Sequence, residues 1–240
     1  QARALRLIAE HGPEAFYEGE IARAVVEAVR SDGGVLTLDD LRAYRVVETK
    51  PIAFPWRGRT LLVMPPPSSG GLAIAQTFAL ADLTGLEMPR DGWPEPAEAD
   101  RLVEILKHAF ADRSRHLADP AFHHVPIDEM LDAEALARVA AAIERGEDLE
   151  PARYGVAPLP EDGGTSHVPV VDADGNAVAC TETINLAFGS NLAVPGFGFC
   201  LNDEMDDFTT VPGQANAFGL RQSDANLPHP GQRPLSSMSP

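Results

Sequence analysis

Apolar residues in the first thirty positions recur about every 3.6 residues: Ala4, Leu5, Leu7 and Ile8, then Ile21, Val25, Val26 and Val29. That spacing predicts two amphipathic helices. Asp32-Gly33-Gly34 predicts the end of the second. Thr37-Leu38-Asp39-Asp40 has the form of a capping box with Asp in place of Glu, so a short helix opens there. From Pro51 to Met64 the pattern turns strand-like, and Thr60 to Met64 reads as a buried strand. Pro65 to Gly71 punctuates the chain before a helix from near Leu72, which Thr84-Gly85 ends. A proline-rich loop from Pro89 to Pro96 precedes an amphipathic helix over Ala97 to Leu117, and another spans Leu131 to Arg145. The acidic stretch Glu147 to Glu161 lacks apolar periodicity and is expected to be the most flexible segment. Strands then predominate to about Leu201. Helices ahead of a strand-rich half predict a layered α/β or α+β fold.

Two strand-like runs, His167 to Val171 and Ala177 to Phe188, flank Asp172-Ala173-Asp174-Gly175-Asn176. A three-residue loop with a type I turn and Gly175 in the left-handed position suits that text. It pairs Asp172 with Asn176, and counting back sets Thr165 opposite Thr183. Directly opposed residues share a face, so Thr181, Thr183 and Asn185 are expected on the surface that carries Thr165. Val178, Cys180, Ile184 and Leu186 are expected to face the core. A two-residue loop would instead set Ile184 opposite Thr165.

Composition narrows the classes. The chain has 240 residues, 44% of them hydrophobic, enough for a sizeable core. A formal charge of −17 argues against nucleic acid or an anionic membrane surface as partner. No apolar run is long enough for a membrane span. Cys180 and Cys200 have no metal-site spacing and are expected to be buried free thiols. His116, His123 and His124 lack carboxylate support at metal-site spacing, and Gly196-x-Gly198 lacks the third glycine of a dinucleotide loop. Neither a cofactor nor a metal is expected.

The chemistry concentrates at Gly163-Gly164-Thr165-Ser166-His167. A threonine hydroxyl alone is a poor nucleophile. If the Gly164–Thr165 bond is cut, Thr165 gains an α-amine with a pKa of roughly 7.7–8.0 that can take its own hydroxyl proton. Two glycines upstream tolerate the unusual backbone a self-cleaving junction requires. His167 lies on the same strand face, but the α-amine fills the role of base, so His167 is read as structural. Ser68-Ser69 has no nucleophile-elbow context and reads as turn chemistry.

The text from Thr165, TSHVPVVDADGNAVACTETINLAFGSNLAVPGFGFCLNDEMDDF, closely resembles the start of the small subunit in the γ-glutamyltranspeptidase (glutathione hydrolase) family of N-terminal-nucleophile hydrolases. AFYEGEIARAVVEAVRSDGGVLTLDDLRAY, RGRTLLVMPPPSSGG and Lys107 to Arg113 with Asp119-Pro120 resemble its large subunit, and RPLSSMSP resembles its paired-serine segment. The matches keep the family's order over nearly the whole chain.

The resemblance implies a four-layer αββα sandwich of the α+β class. Residues 1–164 would be the C-terminal part of the large subunit and residues 165–240 the N-terminal part of the small subunit, parted by self-cleavage between Gly164 and Thr165 and held as a heterodimer. It implies Thr165 as nucleophile with Thr183 bonding its hydroxyl. Asn185 would contact the substrate's amino-acid head, Glu204 and Asp207 its amine, and Ser236 and Ser237 its carboxylate. A γ-glutamyl ester on Thr165 would pass to water or to an amino-acid or peptide acceptor. The carboxylate-clamping arginine would precede Gln1 and the oxyanion glycines would follow Pro240, making the chain an internal fragment. A periplasmic or secreted location is implied by the resemblance alone, since any signal peptide would precede Gln1.

Without the family, the acidic run Asn202 to Phe208 also reads as a solvated loop or a calcium site, with Met205 and Phe208 as its apolar anchor. Two positions depart from the family pattern: Pro169 replaces a common serine, and Asp203 replaces a second asparagine. A glutaryl or cephalosporin-type acylase is the alternative within the fold; an unprocessed binding or structural module is the alternative outside it.

Overall fold

The computed structural model of the chain describes residues 1–89, 91–150 and 165–240. The junction glycines Gly163 and Gly164, and residues 151–161 of the acidic stretch, lie outside the described residues. Eight helices and four strands are described, arranged as two separate two-stranded antiparallel hairpins. The class is α+β.

The described residues fall into two units. The first comprises residues 1–48 and 182–204 with Thr165 and Ser166. Its helices are α1 (Ala2–His11), α2 (Glu14–Tyr17), α3 (Glu20–Ser31) and α4 (Leu38–Ala43). Most of the predicted apolar stripe packs as expected: Ala4, Ile21 and Val25 join Val194 and Phe197 in one core, with Leu7, Ile8 and Val29 at its edge, whereas Leu5, expected with them, is exposed. Helix α3 stops at Ser31, and Gly33 follows with φ 87°. The capping box is present, Thr37 accepting from the Asp40 N–H while the Asp40 carboxylate accepts from the Thr37 N–H at 2.8 Å.

The second unit holds β1 (Ile52–Trp56), β2 (Arg59–Val63), α5 (Gly70–Leu83), α6 (Pro96–His116), α7 (Ile127–Met130) and α8 (Ala133–Glu144). Strands β1 and β2 pair from Ile52–Val63 to Trp56–Arg59. The buried strand expected at Thr60 to Met64 is a half-exposed hairpin arm. Alternation turns Val63 inward, whereas Leu62 and Met64 are exposed. Helix α5 begins at Gly70, two residues earlier than expected. At Gly71 an added Cβ would overlap the Met64 backbone, so only glycine lets the helix start against the strand's end. The helix expected over Leu131 to Arg145 is α8, which opens at Ala133 because Asp132 caps it by accepting from the Ala135 N–H; the short α7 precedes it. Leu80, Leu86, Ile105, Leu136, Ala140 and Ile143 form the core among α5, α6 and α8. A second cluster gathers Leu72, Leu117, Val125, Met130 and Leu235.

Strands β3 (Thr165–Val171) and β4 (Ala177–Thr183) form the other hairpin. Its open end belongs to the first unit and its tip to the second. The strand expected to run to Phe188, and the strands expected to Leu201, end at Thr183. Asn185, Gly189, Asn191, Gly196 and Gly198 all have positive φ, which no ladder accommodates. Val178 and Cys180, expected in the core, are exposed, and Cys200 is half-buried rather than buried. A lone two-stranded ribbon covers neither of its own faces.

Candidate active site

The hairpin loop sets the site's register. Gly175 donates its N–H to the Asp172 carbonyl (3.2 Å) and has φ 85°, and the Asp172 N–H donates to the Asn176 carbonyl (3.0 Å). This is the three-residue loop expected from the sequence. The Asp172 side chain locks it, accepting from the Asp174 and Asn176 N–H groups and from Asn176 Nδ2. The Asn176 bonds hold the Asp172 carboxyl below its ordinary 3.8.

Because Asp172–Asn176 is a hydrogen-bonded pair, antiparallel alternation makes 171–177, 169–179, 167–181 and 165–183 the non-bonded pairs, whose side chains approach most closely. Two cross-strand contacts confirm the count: His167 Nδ1 lies 2.8 Å from Thr181 Oγ1, and Thr165 Oγ1 lies 3.0 Å from Thr183 Oγ1. Pro169 falls in a non-bonded pair, so its missing N–H would have pointed away from β4. It costs this ladder nothing.

Behind Thr183 the chain turns. Asn185 is buried, with φ 74°, a left-handed conformation that asparagine tolerates better than most residues. It therefore does not continue along the strand face, as expected, but curls back, and its N–H donates to Thr183 Oγ1 (2.8 Å). The result is a relay from the Asn185 amide through the Thr183 hydroxyl to the Thr165 hydroxyl. Asp203 fixes the turn: its Oδ1 accepts from the Leu186 N–H (3.1 Å) and its own N–H donates to the Ile184 carbonyl (3.3 Å). The departure from asparagine at 203 thus supplies a carboxylate acceptor to a backbone donor. Glu204 is half-buried, its N–H donating to Asn202 Oδ1 (3.1 Å).

A second set of site residues lies in the other unit. Asp207 ends the 3₁₀ turn Glu204–Asp207, anchored by buried Phe208; Met205, expected to share that anchoring, is exposed. Asn216 Nδ2 donates to the Asp207 carboxylate (3.0 Å). Fully buried Asn226 donates from Nδ2 to the Asp207 carbonyl (2.7 Å), and its Oδ1 accepts from the Leu235 N–H (3.1 Å). One side chain thereby ties the acidic turn to the segment carrying Ser236 and Ser237.

The paired serines sit over the start of α5. The Ser236 carbonyl accepts from both the N–H and the hydroxyl of Ser69 (2.7 Å each), and the Ser236 N–H donates to the Pro67 carbonyl (3.0 Å). The Ser68 hydroxyl donates to the Met238 carbonyl. Ser69 is therefore more than turn chemistry: it is buried and holds the serine segment. Arg113, also buried, donates from Nε to Ser69 Oγ (3.0 Å) and from Nη2 to Ser237 Oγ (3.2 Å). Burial pushes its guanidinium down to about 10, with the Asp207 carboxylate opposing the fall, so the charge persists at neutral pH. A periodic signal marked Arg113, which stands eight residues after Ile105 and four after Ala109 on the buried stripe of α6. For Asn216 and Asn226 no comparable signal existed.

The γ-glutamyltranspeptidase family model matches residues 1–240. The chain belongs to this family. It is 43% identical to the glutathione hydrolase proenzyme of Pseudomonas aeruginosa, over all of this chain and 42% of that protein. It is 40% identical to that of Escherichia coli, again over the whole chain and 41% of the relative, and 36% identical to an acylase ACY 1 proenzyme from a Pseudomonas species, over the whole chain and 40% of it. Among solved structures, the cephalosporin acylase of Bacillus halodurans superposes with a TM-score of 0.73 at 27% identity, over 99% of this chain and 40% of that one. The γ-glutamyltranspeptidase of Pseudomonas nitroreducens complexed with L-DON superposes with a TM-score of 0.54 at 36% identity, over 58% and 42%. The chain spans about two fifths of the length of the curated relatives it matches. Among the described residues, no helix is long and apolar enough to cross a membrane.

Proposed function

We propose that this chain carries the nucleophile and much of the head-group recognition of a γ-glutamyl hydrolase or transferase. The observation that carries the reading is the hydroxyl pair Thr165–Thr183 at 3.0 Å, backed by the Asn185 N–H, at the residue where Gly163-Gly164 precedes a threonine in a family whose relatives are described as proenzymes. Thr165 Oγ1 attacks the Gly164 carbonyl, the acyl group shifts from nitrogen to oxygen, and hydrolysis frees a chain beginning at Thr165. The new α-amine then acts as base for the same hydroxyl. Attack on a γ-glutamyl amide expels the amine and leaves an ester on Thr165, which water or an amino-acid or peptide amine resolves. Thr183, with one lone pair engaged by the Asn185 N–H, steadies the Thr165 oxygen.

The substrate's ammonium falls to Asp207 and Glu204, its head also to Asn185, and its carboxylate to Ser236 and Ser237; oppositely charged and hydrogen-bonding groups suit each end. Residues 1–164 and 165–240 are then parts of large and small subunits that remain paired, within the four-layer αββα sandwich of this hydrolase class. The acylase relatives support a second reading, hydrolysis of glutaryl-type amides that lack the amine. The retained Asp207 and Glu204 favour the amino-bearing substrate.

The test uses the full-length parent. It should run as two chains on a denaturing gel, the smaller starting at Thr165 by N-terminal sequencing, and should turn over a γ-glutamyl anilide. Thr165→Ala should leave one uncut, inactive chain. A small chain starting elsewhere, or a glutaryl anilide preferred over the γ-glutamyl one, would overturn the assignment.

A further inference from the structure

We propose that Arg113 is the positioning residue for the substrate's carboxylate, acting through the Ser237 hydroxyl. The inference rests on the γ-glutamyl reading above and adds a source of positive charge that the paired serines themselves lack.

Three observations converge on one place. Arg113 is only 2% exposed, a poor location for a guanidinium unless its charge is used. Its Nε and Nη2 bond two hydroxyl oxygens, Ser69 Oγ and Ser237 Oγ, which are neutral acceptors, while its Nη1 is buried without a hydrogen-bond partner. Both of these hydrogen bonds go to hydroxyls, while the Asp207 carboxylate bears on the guanidinium electrostatically. Ser237 is exposed, so its hydroxyl presents to solvent what Arg113 holds from beneath.

The amino end of α5 adds to the same spot. An added Cβ on Gly70 would lie 2.6 Å from the Ser237 carbonyl oxygen, so the serine segment rests directly on the helix start. A helix of fourteen residues carries a partial positive charge there. With its oxygen accepting from Arg113, the Ser237 hydroxyl is left to donate its own proton outward. That arrangement selects an anion with acceptor lone pairs, the α-carboxylate of the substrate. Arg113 does not touch the ligand; it orients the hydroxyl and supplies the field. Asp207, the other charge that bears on Arg113, is assigned to the ammonium, so the two charges match the two ends of an amino-acid head.

The experiment compares three anilides on the full-length parent: γ-glutamyl, glutaryl (carboxylate but no amine) and 4-aminobutanoyl (amine but no carboxylate). KM and kcat are measured for the first, and competitive inhibition constants against it for the other two. Arg113→Gln should raise the γ-glutamyl KM and the glutaryl inhibition constant by roughly ten- to a hundredfold, the range for hydrogen bonds with a charged partner. The 4-aminobutanoyl constant should stay level or fall, since Asp207 loses its opposing charge, and self-cleavage into two chains should persist. Arg113→Lys should recover part of the loss.

If Arg113→Gln yields no processed protein, Arg113→Lys and Ser69→Ala carry the same three measurements. Processed, folded variants that weaken all three ligands alike would overturn the inference, as would a failure of all three variants to fold, which would place Arg113 in the scaffold alone. A wild-type parent inactive on the γ-glutamyl anilide overturns the proposed function and this inference with it; an active one with equal losses overturns this inference only.

Discussion

At the scale of single residues, the site divides into groups that make bonds and groups that aim them. Thr183 belongs to the second kind, since its hydroxyl is set by the Asn185 N–H before it meets Thr165. Thr183→Ala should lower kcat about tenfold, the worth of one well-made hydrogen bond, with KM little changed, and Thr183→Ser should restore it; steady-state kinetics on the processed parent decide. Asp207→Ala should act on the other parameter. Losing a charged partner should raise KM for γ-glutamyl substrates roughly ten- to a hundredfold, leaving self-cleavage and glutaryl binding almost untouched. Equal loss of cleavage and turnover would show Asp207 to be structural. The positions proposed for these roles come from motifs that resemble the family's. Asn226 was not, for a buried asparagine that bridges two loops leaves no periodic or spacing signature.

Elements account for most of what the sequence foretold. Helix limits followed from Gly33, the Thr37 capping box, Thr84-Gly85 and Pro96 because caps are local chemistry. The β3–β4 register followed from one loop, for the same reason. What failed was the burial of strands, which needs another layer packed on the sheet. Thr60 to Met64 and Val178 to Cys180 read as buried because they are apolar, yet each sits in a two-stranded hairpin with one or both faces uncovered among the described residues. Past Thr183, apolar text suggested strands, but its glycines and asparagines adopt left-handed turns. Gly175 should be intolerant of a side chain: Gly175→Ala places Cβ at φ 85°, costing about 1–2 kcal/mol, and should loosen the hairpin, read as faster amide exchange along β3 and β4 in the parent. Acid should do likewise. Asp172 is held below 3.8 in the folded hairpin, so its contribution is complete above the unfolded value and is lost as pH falls below about 4 through the lowered folded value. Exchange protection that stayed constant through that window would contradict the assignment.

For the molecule as a whole, both hairpins display apolar side chains: Leu62 and Met64 on one, Val168, Val170, Val171 and Val178 on the other. Unpaired edges and uncovered valines promote association. The 240-residue stretch expressed alone should therefore bind a hydrophobic dye and aggregate, whereas the longer parent should do neither; size-exclusion chromatography with dye fluorescence separates the two. The link made by Asn226 reaches further than stability. Because one rigid amide joins the Asp207 carbonyl to the Leu235 N–H, the anchor points assigned to ammonium and carboxylate keep a constant separation. A constant separation is a gauge. Both charged groups of a substrate must then fit one span. A β-amino acid analogue offers the same charges at a different span, so spacing would be judged by a residue that touches no substrate. Loosening that span with Asn226→Ser should narrow the preference between α- and β-amino acid substrates, read as the ratio of their kcat/KM values, before it slows the favoured one.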